Sequence, residues 1–134
     1  MKYDVVIIGG GHSGLEKGME ALRAGKSCCA LCKGVSSRKF RDESYRHEAA
    51  REEFRSLGGE LLMGETVTGG VISDGLLMSV HTESHPDTPI EASVFYLSTG
   101  SFFMVKCGIW YDLYGIISYC VCVDKAYRYI PSTL

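Results

Sequence analysis

Residues 5–14 read VVIIGGGHSG, an apolar, β-branched run broken by three consecutive glycines. The full run, Tyr3 to Ile8, has the character of a strand covered on both faces. After the glycines, Leu15, Met19 and Leu22 recur at helical spacing, and Gly25 stands where a helix would end. A second apolar run, Ser27 to Leu31, follows at once. Strand, glycine turn, helix and strand within about thirty residues predict a βαβ unit.

Gly9, Gly11 and Gly14 fit G-x-G-x-x-G in the context that gives this spacing its meaning, after a strand and opening a helix. The first glycine permits the tight turn. The second lets a pyrophosphate approach the backbone, and the third lets the helix lie against the sheet. Gly10, His12 and Ser13 lie in the same turn, where unpaired N–H groups and the helix dipole favour phosphate. His12 is either a phosphate contact or an exposed first-turn residue. An acidic residue normally follows at the end of the second strand to hold a ribose. Here that position is Cys32, followed by Lys33-Gly34. A thiol cannot bind two hydroxyls as a carboxylate does, so adenosine binding is expected to be weaker or differently arranged, with Ser36 and Ser37 as substitute donors.

Beyond this unit, RDESYRHEAAREEFRSLGG predicts a second helix, near 42–57, with Tyr45, Ala49, Ala50, Phe54 and Leu57 as its apolar stripe and Gly58-Gly59 as its end. Asp74-Gly75 signals a tight turn inside a small antiparallel β-meander expected over 65–92. Ser93 to Gly100 reads as another buried strand that stops at a glycine. The expected architecture is α/β: a three-layer dinucleotide-binding domain over 1–103 with that meander. Its central parallel sheet should include Val5–Ile8, Cys28–Leu31 and Val94–Leu97. Residues 104–134 hold Trp110 and five tyrosines with weak periodicity, and are expected to form a tail packed on the same domain.

At 134 residues one domain is expected, burying roughly two thirds of its unfolded surface. A net charge of −2 offers no footprint for nucleic acid. Basic residues between Lys33 and Arg55 are interleaved with Asp42, Glu43, Glu48, Glu52 and Glu53, as on a solvated helix. The stretch Cys107 to Val123 is short for a membrane span and carries Asp112. The chain opens on a strand rather than on a basic secretory leader, so a cytoplasmic protein is expected. Cys29-Ala-Leu-Cys32 matches C-x-x-C, but residues three apart on a strand face opposite ways. Reduced, packed cysteines are therefore expected. His81, Glu83, His85 and Asp87 lack fixed ligand geometry, and no metal site is assigned. No catalytic residue can be named from any nucleophile or carboxylate pattern.

The opening YDVVIIGGGHSGLEKG resembles the N-terminus of two-dinucleotide-binding-domain flavoproteins of the Rossmann-like type. The block from Phe54 to Phe103 resembles the B-type subunit of the anaerobic glycerol-3-phosphate dehydrogenases. Its helix ending in Gly-Gly, its Gly-acid-x-Val strand and its strand running into Gly-Ser-Phe-Phe carry the likeness. The resemblance covers about residues 1–39 and 45–103. It implies FMN or FAD on Gly9, Gly11 and Gly14, Val67 near the cofactor by its backbone, and Thr99 and Gly100 against it. It implies oxidation of sn-glycerol 3-phosphate to dihydroxyacetone phosphate, with electrons passing to quinone through other subunits of a complex. Contact with the inner membrane face would be indirect, through such a partner.

Two departures are visible. Members of that family carry a long substrate-covering insertion where this chain has only about RKFRDES, and residues beyond Phe103 do not resemble the family's further glycine-rich contacts. Two readings follow: a flavin-dependent oxidoreductase subunit, or a truncated, non-catalytic nucleotide-binding core or assembly module. The stretch GGGHSGLE also resembles flavoproteins that modify tRNA uridine, but the basic surface such a role needs is absent.

Overall fold

The computed structural model describes residues 1–9, 12–32 and 48–98, and the backbone of 121–122. The first strand, β1 (Lys2–Ile8), feeds helix α1 (His12–Arg23), which returns the chain to β2 (Cys28–Cys32). Helical residues 48–56, here α2, lead into β3 (Glu60–Met63). Strands β4 (Val67–Ser73), β5 (Leu76–Thr82) and β6 (Ile90–Leu97) follow, then the short β7 (Val121–Cys122).

Parallel pairing sets Val5–Ile8 against Cys28–Leu31 on one side and against Val94–Leu97 on the other. The sheet order is β3-β2-β1-β6-β5-β4, with β7 paired to β6. The three strands expected at the centre are therefore neighbours. The meander does not form a sheet of its own. Ser79↔Glu91 and Val80↔Ile90 join β5 to the start of β6, while the end of β6 pairs with β7 through Tyr96↔Val121 and Leu97↔Cys122. One edge of β6 thus serves two partners in succession, because its length exceeds what β5 covers. The expected helix at 42–57 appears as 48–56, its earlier residues lying outside those described. The tail at 104–134 also lies outside them, apart from β7.

Three of the described turns close by a backbone device. Gly25 takes φ 82° after α1, and its N–H reaches Leu22 O while the N–H of Lys26 reaches Ala21 O. Gly58 repeats this after α2, with Gly58 N–H to Arg55 O and Gly59 N–H to Phe54 O. Both are Schellman caps, which satisfy the last helical carbonyls. Asp74 and Gly75 both have positive φ, 52° and 75°, as a type I′ hairpin turn requires.

Alternation along the strands divides the core into two clusters. Val5, Ile7, Cys28, Ala30 and Cys32 meet Leu15 and Met19 of α1 and Ala50 and Phe54 of α2. On the other face, Val6, Ile8, Cys29, Leu31, Phe95 and Leu97 meet Val67, Leu77 and Val80 of the β4–β5 hairpin. Helices, parallel sheet and hairpin make the three layers. Small residues set the helix–sheet spacing: a Cβ on Gly18 would come within 2.7 Å of Phe54 Cε2 and 3.2 Å of Cys28 Sγ.

Candidate nucleotide-binding site

The carboxyl ends of β1, β2 and β6 stop level with one another. Gly9 N–H donates to Leu31 O at 2.8 Å, and Ser98 N–H donates to Ile8 O at 2.8 Å. Gly9 has φ 113°, a conformation rarely open to a residue with a side chain, and it ends the extended run of β1. His12 and Ser13 open that helix. Gly14, one residue later, is where the sheet and helix come closest. A Cβ there would lie 2.7 Å from Ser98 Cβ and 2.8 Å from Ile7 Cγ2. Without it, the first turn of α1 rests directly on β1 and on the end of β6, with its free N–H groups at the carboxyl edge of the sheet. That is the arrangement in which a helix N-terminus receives phosphate.

Cys32 ends β2 and is buried, packed in the same cluster as Ala50. Burial pushes its thiol up to about 11, and the charges of Arg51 and Arg55 pull against that rise. Cys28 and Cys29 are pushed up to about 12, also by burial first. Cys29 lies on the hairpin face of the sheet and Cys32 on the helix face, as the strand period demands. All three are free cysteines.

Val67 is buried at the start of β4, paired across the hairpin with Thr82. The segment before it holds a residue to which no role was assigned from the sequence. Glu65 is buried, its N–H donates to Cys32 O at 3.0 Å, and its Oε1 lies 3.0 Å from His85 Nδ1. Its Oε2 is buried without a hydrogen-bond partner. Glu83 N–H to Thr66 O at 2.9 Å and His85 N–H to Thr82 Oγ1 at 3.1 Å complete the junction between the loops after β3 and β5. The Gly-acid-x-Val pattern at 64–67 was the available signal. Arg51 carried no such signal; it belongs to α2, and its charge acts on the Cys32 thiol from there. Gly10, Gly11, Lys33, Ser36, Ser37, Thr99 and Gly100 lie outside the described residues.

A parallel β3-β2-β1-β6 core, Gly9 at positive φ after β1 with α1 opening at His12, and a hairpin over the opposite face define a Rossmann-like dinucleotide-binding fold in its three-layer form. Solved structures share it. A thioredoxin reductase from Gloeobacter violaceus superposes with a TM-score of 0.61 at 19% identity, over 75% of this chain and 35% of that one. A flavin-dependent brominase superposes with a TM-score of 0.64 at 15% identity, over 81% of this chain and 41% of that one. At these identities the likeness is one of fold. Among curated proteins, the B-type subunit of the anaerobic glycerol-3-phosphate dehydrogenase of Yersinia pestis is 33% identical over 57 residues, 42% of this chain and 13% of that protein. Its counterpart in Vibrio cholerae is 38% identical over 56 residues, with the same shares. The chain thus matches about an eighth of the length of these relatives. No protein-family model matches it. Among the described residues, no helix is long and apolar enough to cross a membrane.

Proposed function

We propose that this chain is the nucleotide-binding core of a flavin-dependent oxidoreductase, of the kind represented by the B-type glycerol-3-phosphate dehydrogenase subunit, with residues 1–103 as the binding unit. The observation that carries the reading is the contact at Gly14, which seats the first turn of α1 on Ile7 and Ser98. Gly9, Gly10 and Gly11 would carry the phosphates of FMN or FAD, with His12 and Ser13 beside them. Val67 would meet the cofactor through its backbone, and Thr99 and Gly100 would approach from the end of β6. When bound, the flavin would supply the two-electron redox chemistry. The chain's own part is to bind and orient it. Partner subunits would pass electrons from sn-glycerol 3-phosphate to quinone, holding this chain at the inner face of the membrane from the cytoplasm.

A second reading, a non-catalytic nucleotide-binding core or assembly module, is supported by Cys32. A buried thiol stands where a carboxylate would hold the ribose, and the sequence between β2 and α2 lacks the long insertion of the family it resembles.

Titrating the purified protein with FMN, FAD and ADP, followed by its visible spectrum, tests both. Weak flavin binding that Gly11→Val abolishes, with the fold retained, supports nucleotide binding at the glycine turn. Equal binding by Gly11→Val would refute it. Reduction of a quinone analogue by glycerol 3-phosphate in the isolated chain would eliminate the non-catalytic reading.

A further inference from the structure

The β4–β5 hairpin covers the core with one face and leaves the other apolar. Leu77 turns into the core cluster, so its strand neighbours Leu76 and Met78 face the other way. Ile72 pairs with Leu77, so Val71, next to it on β4, shares the outer side with Leu76 and Met78. Leu76 is 64% exposed, and Val71 and Met78 are each 47% exposed. Single exposed apolar residues are ordinary, whereas a contiguous group of them on one face marks an interaction surface. The hairpin also ends the sheet, and among the described residues no further strand lies beyond β4. Charge narrows what can cover this face. From Val67 to Thr82 the only Asp, Glu, Lys or Arg is Asp74, at the turn, although 22% of the whole chain is charged. Nothing on the hairpin would attract or align a charged peptide, a nucleic acid or an anionic bilayer. An identical face matches it. With two copies stacked antiparallel, apolar side chains meet and the two Asp74 carboxylates lie at opposite ends.

We propose that the outer face of the β4–β5 hairpin is a self-association surface. Two copies of this chain stack there about a two-fold axis, with Val71, Leu76 and Met78 of each against those of the other. Such an interface is isologous, so one patch serves both partners and the assembly closes at two. Each strand has seven residues, so the face measures about 23 Å by 10 Å. That is well below the roughly 800 Å² per partner of a standard interface, so the dimer is weak, with Kd on the order of 10–100 µM. The proposal is independent of nucleotide binding at the glycine turn.

Sedimentation velocity of the full chain, from about 1 to several hundred µM so as to bracket that Kd, reads the association directly. The weight-average coefficient should rise with concentration and approach that of a dimer. Leu76→Lys should raise Kd about tenfold or more, because the two copies then place like charges on facing surfaces. Leu76→Ser, which removes the apolar group without adding charge, should also weaken the dimer and carries the test if the lysine variant does not fold. Mixing Leu76→Lys with Leu76→Glu should restore association that neither variant shows alone. Met63→Lys provides the control. Met63 is 43% exposed at the end of β3, the opposite edge of the sheet, and its replacement should leave Kd unchanged. A parent protein that stays monomeric throughout overturns the proposal. So does association that survives both Leu76 variants, that Met63→Lys abolishes equally, or that grows past the dimer. Failure of the lysine and glutamate variants to associate when mixed would show that the two faces do not meet.

Discussion

Gly14 and Ser98 approach so closely that a Cβ on the glycine would lie 2.7 Å from the serine Cβ. The two residues belong to α1 and to the end of β6, which are far apart in the chain. Their contact sets how closely the helix N-terminus sits over the carboxyl edge of the sheet. Gly14→Ala should therefore destabilise the protein by about 1–3 kcal/mol, since overpacking outweighs the gain in helix propensity. Urea unfolding measures this, and Gly14→Ala combined with Ser98→Gly should recover part of the loss. A Gly14→Ala variant as stable as the parent would show that the helix can slide without cost.

Phe54 is fully buried and fills the space that Gly18 and Gly59 leave open. Phe54→Ala should cost about 3–5 kcal/mol, combining lost transfer energy with a cavity among α1, α2 and β2. Phe54→Leu should cost much less. Denaturant midpoints for the two variants check the difference.

Cys28, Cys29 and Cys32 should resist alkylation at pH 8 in the folded protein, because burial keeps their thiols protonated up to about 11 or 12. Peptide mapping after iodoacetamide treatment, with and without denaturant, reads this. The same shifts set a pH dependence. The folded state holds these protons where the unfolded chain, titrating near 9, has released them. Stability should thus be indifferent to these groups below about pH 8 and fall above about pH 9, by up to about 1.4 kcal/mol per pH unit for each thiol. Serine at all three positions should flatten that alkaline slope.

His85→Ala should cost about 1–2 kcal/mol, because it leaves the buried Glu65 carboxylate without the imidazole at its Oε1, while His85 itself is partly in solvent. Glu65→Gln together with His85→Ala should cost less than the sum of the single changes, and a double-mutant cycle gives the coupling. Additive losses would mean that the 3.0 Å contact contributes no stability.

Local chemistry made the scaffold legible from residues alone. The β-branched run before Gly9 and the helical recurrence of Leu15, Met19 and Leu22 mark β1 and α1. Gly25, Gly58 and the Asp74-Gly75 pair each have one backbone conformation that suits them best, and each adopts it. Even the opposed faces of Cys29 and Cys32 follow from strand period. The sequence thus determined β1, α1, β2, α2, the β4–β5 hairpin and β6 in their order, but not β3 or β7. Tertiary structure alone decided which side chains meet at the end of β2. Cys32 meets Ala50 because α2 packs Ala50 and Phe54 onto the sheet, and Glu65 meets His85 because the β4–β5 hairpin folds its two ends together. Period and propensity act over a few residues, whereas a buried charge finds its partner across distances in the chain that only packing closes.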